Sequence, residues 1–482
     1  MNTTEQSSLS VSLNKNLRRV KEQFHTSTDL KIRKFNIKDN GNREAVILYL
    51  DGITNTQNVQ ENILYPLLQI DKIENIESIV SNHLYIIDVA IATTLDEITN
   101  AISRGRTLVL IDGFKEGILA DSSDWQKKGL TEPDTQRTLK GPSVGFTEQL
   151  KVNTNLLRNM IQTELLAIET IQVGSKVKTD VSIIFLNGFV DDKVLEETRK
   201  RIKSIDVTYL LESRVIEDAI EGKKTLFPLV LTCERPDVAV SSLFEGRVAI
   251  LVNGTPYALI VPNLFLDYFQ KPDEYYSKGG RYSYRIMRLF SWILSLTLLG
   301  LYVTMVRFHP GWLPDPFAKK LLTQSETLFP IYMEIGFLLF LFQLLAEASL
   351  RIPKSSVILV SLVGAIVVGE TSVNAKLIHP LTLIVAGINY LASIAISTGG
   401  LWGSMNMLRI LFLLVGYFFG LKGILIGLVI LNVYMASLKS LGVPFLTPII
   451  PFHPKEMKDA FFRGDLRKLI NSKHTYPHKN NK

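Results

Sequence analysis

Four apolar runs in the first part of the chain each end in a turn dipeptide. They are Val46-Ile47-Leu48-Tyr49-Leu50 before Asp51-Gly52, Leu108 to Ile111 before Asp112-Gly113, Ile183 to Leu186 before Asn187-Gly188, and Val248 to Val252 before Asn253-Gly254. Asp-Gly and Asn-Gly accommodate the positive φ of a sharp reversal after a strand. The first and third runs continue into helical patterns (Val59 to Leu68; Val194 to Ile202), the second and fourth into another short apolar run. The order strand, helix, helix, strand, turn, strand therefore occurs twice, which predicts two related α/β subdomains at 43–125 and 178–280. Between them, 126–177 carries Leu150, Leu156, Leu157, Ile161 and Leu165 at helical spacing and is expected to be a helical connector. Residues 1–42, rich in Ser, Thr, Gln and Asn, are expected to be a polar flexible segment.

From Leu289 the pattern changes. The run 289–306 has no charge, is bounded by Arg288 and Arg307, and approaches the roughly 20 apolar residues a spanning helix needs. Further apolar segments lie near 328–349, 356–373, 377–398, 409–421 and 423–440. The last two are short for full spans, so the Lys422-Gly423 region is either a tight hairpin or a break in one helix, giving about four to six segments in a polytopic helical membrane domain at 281–450. Lys278, Arg281, Arg285 and Arg288 precede the first segment; Lys455, Lys458, Arg463, Arg467 and Lys468 follow the last, in a basic tail at 451–482. Both clusters favour the cytoplasmic face, which implies an even number of crossings with the soluble half and the tail on the same side.

Composition narrows the function classes. The net charge of +7 is dispersed, with clustering at the membrane flanks, so the basic residues read as membrane anchors and no nucleic-acid partner is expected. One cysteine, Cys233, excludes a disulfide framework and a Cys-based metal site and is expected to be a buried, unreactive thiol. The seven histidines show no metal-like pairing, and there is no Gly-x-Ser-x-Gly elbow or other nucleophile-base pattern. No metal, no cofactor and no enzymatic activity are expected. The Asp residues of the turn dipeptides read as turn formers, because the glycine does the conformational work.

Several ordered blocks resemble one family, the GerA family of spore-germination receptor A subunits. They include Lys140-Gly141-Pro142, Gly145-Phe146-Thr147-Glu148, Asn155-Leu156-Leu157-Arg158, Phe227-Pro228, Glu234-Arg235-Pro236-Asp237, Glu245-Gly246-Arg247 and Gly254-Thr255-Pro256. In the membrane half the likeness continues through His309-Pro310, Glu347-Ala348, Arg351-Ile352-Pro353, Gly364-Ala365 and Gly442-Val443-Pro444-Phe445-Leu446-Thr447-Pro448. The chain departs from the family's usual residues at Lys140, Asn253, Gln343, Ala346 and Glu370. The resemblance implies a multi-pass subunit of a nutrient-sensing complex in the spore inner membrane. Its implied partners are a transporter-like B subunit that holds the nutrient germinant and a lipoprotein C subunit. It also implies homo-oligomerisation into a gated cation channel; the alternative is a non-conducting scaffold that relays the signal of the nutrient-binding partner.

Carboxylates inside apolar segments are the candidate ion path, since each costs at least about 2.5–3.5 kcal/mol facing lipid at the bilayer centre. Gln343 and Glu347 share a helix face, with Glu334 at a nearby angle, and around an axis of several copies they would form rings of oxygen ligands. The bland alternative for Glu347 is an i,i+4 pair with Arg351. Glu370 and Asn374 form either a polar cluster at membrane depth or part of an extracytoplasmic loop with Lys376 and His379. Asn389 and Asn406 read as interhelical hydrogen-bonding groups, and Gly416, Gly420, Gly423 and Gly427 as small residues for close packing or simply the turn around Lys422. In the soluble half Lys140, Gly141, Pro142, Arg158, Arg235, Pro236, Asp237 and Arg247 belong to the family-matching blocks and are expected to fix one domain on another through ion pairs.

Overall fold

The computed structural model describes residues 8–38, 42–124, 132–133, 136, 141–271, 280–312, 327–351, 364–396, 400–454 and 456–462. The soluble half contains two five-stranded antiparallel sheets with the same topology. The first holds β1 (Leu30–Ile37), β2 (Arg43–Leu50), β3 (Val89–Ala92), β4 (Thr107–Ile111) and β5 (Gly117–Ala120) in the order β1-β2-β4-β5-β3. The second holds β6 (Leu166–Val173), β7 (Thr179–Leu186), β8 (Leu231–Cys233), β9 (Val248–Val252) and β10 (Ala258–Val261) in the order β6-β7-β9-β10-β8. Helices cover both faces of each sheet, which is why the strands read as continuous apolar runs. In β2, Val46, Leu48 and Leu50 enter one core and Ala45 and Ile47 the other.

Each repeat opens earlier than the turn pattern indicates. α1 (Leu13–Gln23) precedes the first sheet, and α4 (Leu150–Met160) precedes the second. Between these, α2 (Ile76–Asn82) and α3 (Leu95–Ser103) belong to the first repeat. The second carries α5 (Asp192–Lys203), α6 (Arg214–Glu221) and α7 (Pro236–Phe244). The opening helices are held identically. The Asn16 side chain accepts from Ser10 N–H at 2.8 Å and donates to the Ser10 carbonyl at 2.6 Å; Asn153 does the same with Thr147 at 2.8 and 2.6 Å. The turn residues Asp112 and Asn253 then accept from the first helical N–H groups, those of Leu13 at 3.0 Å and Leu150 at 3.2 Å. These turn side chains serve as helix caps contributed from another part of the chain.

Two expectations are corrected here. Residues 1–42 are not a flexible segment throughout: α1 buries Leu13, Leu17 and Val20 against the first sheet, and β1 pairs with β2 from Leu30 to Ile37. The stretch 126–177 is not simply a connector, because α4 and β6 are structural parts of the second repeat. Both were hidden by polarity: α1 has apolar residues on one narrow stripe, and β1 carries exposed Lys31, Arg33 and Lys34 on its two faces.

The membrane half is helical. It contains α8 (Gly280–Phe308), α9 (Ile331–Arg351), α10 (Pro380–Ile396) and α11 (Leu401–Ser437), with a π-helical stretch over Ala365–Thr371 that runs into the short helix Ser372–Asn374. Among the described residues Tyr284–Phe308, Ile331–Ser349 and Leu401–Ser437 are long and apolar enough to cross a membrane, while Pro380–Ile396 is apolar but shorter. Residues 356–363 of an expected segment lie outside the described residues.

α11 is a hairpin. Straight, its 37 residues would extend about 55 Å at 1.5 Å per residue, well beyond a hydrocarbon core of about 30 Å. Instead Ser404 Oγ donates to the Leu226 carbonyl and Leu226 N–H donates to Tyr434 Oη at 2.9 Å, so residues from both arms meet one loop. The reversal is at Gly420, whose φ of 60° and ψ of −152° are open essentially to glycine alone. Gly420→Ala is therefore expected to lower the melting temperature of the detergent-solubilised protein, the cost of such backbone strain being about 1–3 kcal/mol; an unchanged transition would show that the reversal tolerates a side chain.

Candidate functional site

The candidate set Glu334, Gln343, Glu347, Glu370 and Asn374 does not converge: Glu334 is buried and the other four are exposed. Glu334, in the first turn of α9, is fully buried inside the subunit. Its Oε2 accepts from His379 N–H at 3.2 Å, at the start of α10, and Oε1 has no hydrogen-bond partner among the described residues. The carboxylate thus lies beside the N-termini of two helices, whose free N–H groups and dipoles favour an anion and offset its desolvation. Because it faces its own subunit, Glu334 cannot line an axis between copies, and the expected ring at this position is withdrawn.

Gln343 and Glu347 do face outward. They lie one turn apart on α9, exposed alongside Phe340 and Leu344. Gln343 Oε1 accepts from Asn406 Nδ2 at 3.3 Å, and Glu347 pairs with Arg351 at 2.5 Å with half of its side chain still exposed. Glu370 and Asn374 are also exposed, on the π-helical stretch and the short helix after it. Asn389 bridges helices, donating to the carbonyls of Leu294 at 3.3 Å and Ser295 at 2.9 Å.

The glycines divide between two roles. Gly416 lies against Gly300 of α8 so closely that a Cβ on Gly300 would come within 2.5 Å of the Phe412 carbonyl oxygen, and one on Gly416 within 2.6 Å of the Gly300 carbonyl oxygen. Thr304 Oγ1 donates to the Gly416 carbonyl at 3.0 Å across the same contact. Gly420 makes the turn, and Gly423 and Gly427 let the returning arm approach Val415 and Phe412.

In the soluble half three buried arginines clamp successive junctions. Arg158, on α4, binds Asp29 through Nε at 2.8 Å and Nη2 at 3.1 Å and also donates to Ser27 Oγ, joining the second repeat to the start of β1. The same segment adds to the edge of β6, with Thr28 N–H donating to the Ile168 carbonyl at 2.8 Å. Arg235 precedes the helix-starting Pro236, binds Asp237 at 2.8 and 3.0 Å and donates to the carbonyls of Pro142 and Gln136. Gly141, before that loop, has a φ of 127°; Lys140 lies outside the described residues.

Arg247 forms the third clamp, toward the membrane half. It grips Asp267 at 2.5 and 2.9 Å and pairs with Glu245 at 2.9 Å. Asp267 belongs to the short helix Phe265–Phe269, whose Phe265 ring stacks edge-on against Phe269 and Trp292, each at 5.0 Å between centroids. Phe265 N–H also donates to the Phe445 carbonyl at 2.8 Å. Planar bidentate pairing of this kind fixes orientation as well as distance.

Sequence reasoning missed Asp29 and Asp267, the acidic halves of two clamps, because each is remote in sequence from its arginine. It also placed Arg285 and Arg288 at the lipid interface. They are buried: Arg285 pairs with Asp459 at 2.9 Å, and Arg288 donates to the Phe269 carbonyl at 2.8 Å. Arg409, a buried guanidinium within α11, was not singled out, although a lone arginine in so apolar a run is itself a signal. Cys233 is a free buried thiol, and burial pushes its pKa up to about 12, which leaves it unreactive at neutral pH.

Comparison with known proteins gives a consistent set of relatives. Residues 18–475 match the family described as Bacillus/Clostridium GerA spore germination protein. Spore germination protein KA of Bacillus subtilis (strain 168) is 32% identical over 461 residues, covering 94% of this chain and 85% of the relative. Spore germination protein GerLA of Bacillus cereus is 30% identical over 454 residues, covering 93% of this chain and 92% of the relative. The solved N-terminal domain of the A subunit of the Bacillus megaterium spore germinant receptor GerK3 is 33% identical, covers 54% of this chain and 98% of that chain, and superposes with a TM-score of 0.43. The paired α/β repeats, the helical membrane half and a match running through both identify the chain as a member of the GerA spore germination protein family.

Proposed function

We propose that this chain is the membrane subunit of a nutrient-sensing germination receptor and that several copies assemble around an axis as a germinant-gated cation channel. The reading rests on one observation: Gln343, Glu347 and Glu370 are exposed on the outside of a mainly apolar helical domain. Polar groups at membrane depth are costly against lipid and are commonly turned toward protein or a water-filled passage, and carboxylate rings favour cations. The receptor is assigned to the spore inner membrane, with the soluble half and the tail on the core side. A transporter-like B subunit captures the germinant, and a lipoprotein C subunit completes the complex. The chain performs no catalytic step in this scheme; the soluble repeats, joined to each other by Arg158 and toward the membrane half by Arg247, pass the partner's signal to the helices.

Glu347→Gln is expected to reduce germinant-triggered cation release from spores severalfold at unchanged protein abundance, read by ion release and immunoblot. Unchanged release removes Glu347 from the path. The Glu347–Arg351 pair favours a second reading, a non-conducting scaffold that relays the signal. It predicts that the purified chain in planar bilayers carries no current whether or not the soluble repeats are locked, whereas the channel reading predicts cation current.

A further inference from the structure

Arg409 lies near the middle of the first arm of α11, which runs over 401–420 and is about 30 Å long at 1.5 Å per residue. Its side chain is buried, and Nε and Nη2 have no hydrogen-bond partner among the described residues. That edge of the guanidinium is the one by which Arg158 grips Asp29 and Arg235 grips Asp237. No carboxylate among the described residues meets it at Arg409. Glu347 is paired with Arg351, and Glu334 accepts from His379 N–H. The titratable group that acts on Arg409 is Tyr390 of α10, a phenol that carries no charge at neutral pH. A full positive charge is therefore held at membrane depth without a counter-ion among the described residues, a costly arrangement that points to function.

The stripe that carries Arg409 faces α9 and α10. Trp402, Asn406 and Arg409 recur at i, i+4 and i+7 on one side of α11. Tyr390 stands between Phe342, at 4.9 Å between ring centroids, and Trp402, at 6.3 Å. Asn406 Nδ2 in turn holds Gln343 Oε1, a member of the exposed polar row on α9. Tyr332 meets Tyr417 at 5.1 Å, so α9 and this arm run in opposite directions. Glu347 and Arg409 therefore lie on opposite sides of the Gln343–Asn406 bond, with the arginine one turn, about 4.5 Å along the helix axis, beyond it. Arg409 does not line the polar row. It reaches the row through its field, which a low-dielectric interior weakens far less than water does.

We propose that Arg409 is the electrostatic gate of the cation path. The proposal rests on the channel reading above and names its regulation. Glu347 draws cations toward the row, and the guanidinium beyond the Gln343–Asn406 bond repels them, as fixed positive charges do in pores that exclude cations. Opening requires this charge to be withdrawn or to receive a carboxylate on its free edge, where planar bidentate pairing neutralises it. A neutral side chain of similar size would fill the same space without the cost of burying a charge, so packing alone gives the guanidinium no purpose.

The purified full chain in planar bilayers under a potassium chloride gradient tests this, with tryptophan fluorescence melting as the control for folding. Arg409→Gln and Arg409→Met are expected to pass severalfold more cation current than the parent, with a reversal potential nearer that of potassium, and to melt no lower. Arg409→Lys is expected to conduct like the parent while its amine is charged and like Arg409→Gln once rising pH removes the proton, a titration that the guanidinium does not undergo. Neutral variants that fold and conduct no more than the parent overturn the gate and leave the channel reading standing. An Arg409→Lys current equal to that of Arg409→Gln at acid and alkaline pH alike does the same, because shape and not charge then sets the current. Neutral variants that melt well below the parent show that the guanidinium has a stabilising partner, which also overturns the gate. Absence of current from the parent and from every folded variant overturns the channel reading and the gate together.

Discussion

Arg247→Leu is expected to loosen the soluble half from the membrane half and to cost about 3–5 kcal/mol, the penalty for removing one partner of a buried ion pair. Asp267 would be left in a nearly closed site, where its Oδ2 also accepts from Leu264 N–H at 2.7 Å and so holds the start of the Phe265–Phe269 helix. Trp292 reports the event directly, because its ring lies 5.0 Å from Phe265 in the same cluster. Its fluorescence should shift to the red at a lower temperature than in the parent protein. Replacing Asp267 with Asn in the same chain removes the stranded charge and should recover part of the loss. An unchanged transition would mean that the aromatic cluster alone secures the junction.

Gly300→Leu should also be damaging, by a different route. The contact between α8 and the first arm of α11 is backbone to backbone, with no flexible side chain to yield, so a Cβ at Gly300 forces the helices apart. Small residues allow such close approach, and interhelical hydrogen bonds such as Thr304 to Gly416 depend on it. Loss of folded, extractable protein is expected at about the 1–3 kcal/mol that overpacking commonly costs, together with release of the Thr304 contact. Gly336→Leu is the control: a Cβ there meets nothing within 4 Å, so the variant should behave as the parent. Equal stability of both variants would show that the helices can part without consequence.

The internal repetition was legible from the four turn dipeptides because each glycine marks a strand end. The beginnings of the repeats were not, because α1 and β1 carry the charges of a solvated face and their apolar positions are too sparse to form a run. A signal existed in the spacing: Leu13 and Asn16 recur as Leu150 and Asn153, the same three-residue step at the same place before a sheet. The clamping arginines were legible as members of motifs, but their acceptors were not, since Arg158 and Asp29 meet only through the folding of two sheets. The buried state of Glu334 was beyond the sequence for a related reason. A carboxylate one turn into an apolar helix can point to lipid, to a neighbour or inward, and the choice depends on α10 delivering the His379 N–H.

The closure of Phe445 on Phe265 and of Asp459 on Arg285 has a consequence for biosynthesis. More than a third of the chain separates the two phenylalanines, and all of the helical hairpin must leave the ribosome before either contact can form. The two sheets can complete their folding early, as N-terminal units generally do. Their attachment to the bilayer-embedded part is a late event, and a transcript cut short before Phe445 would yield folded sheets with an unfinished mooring.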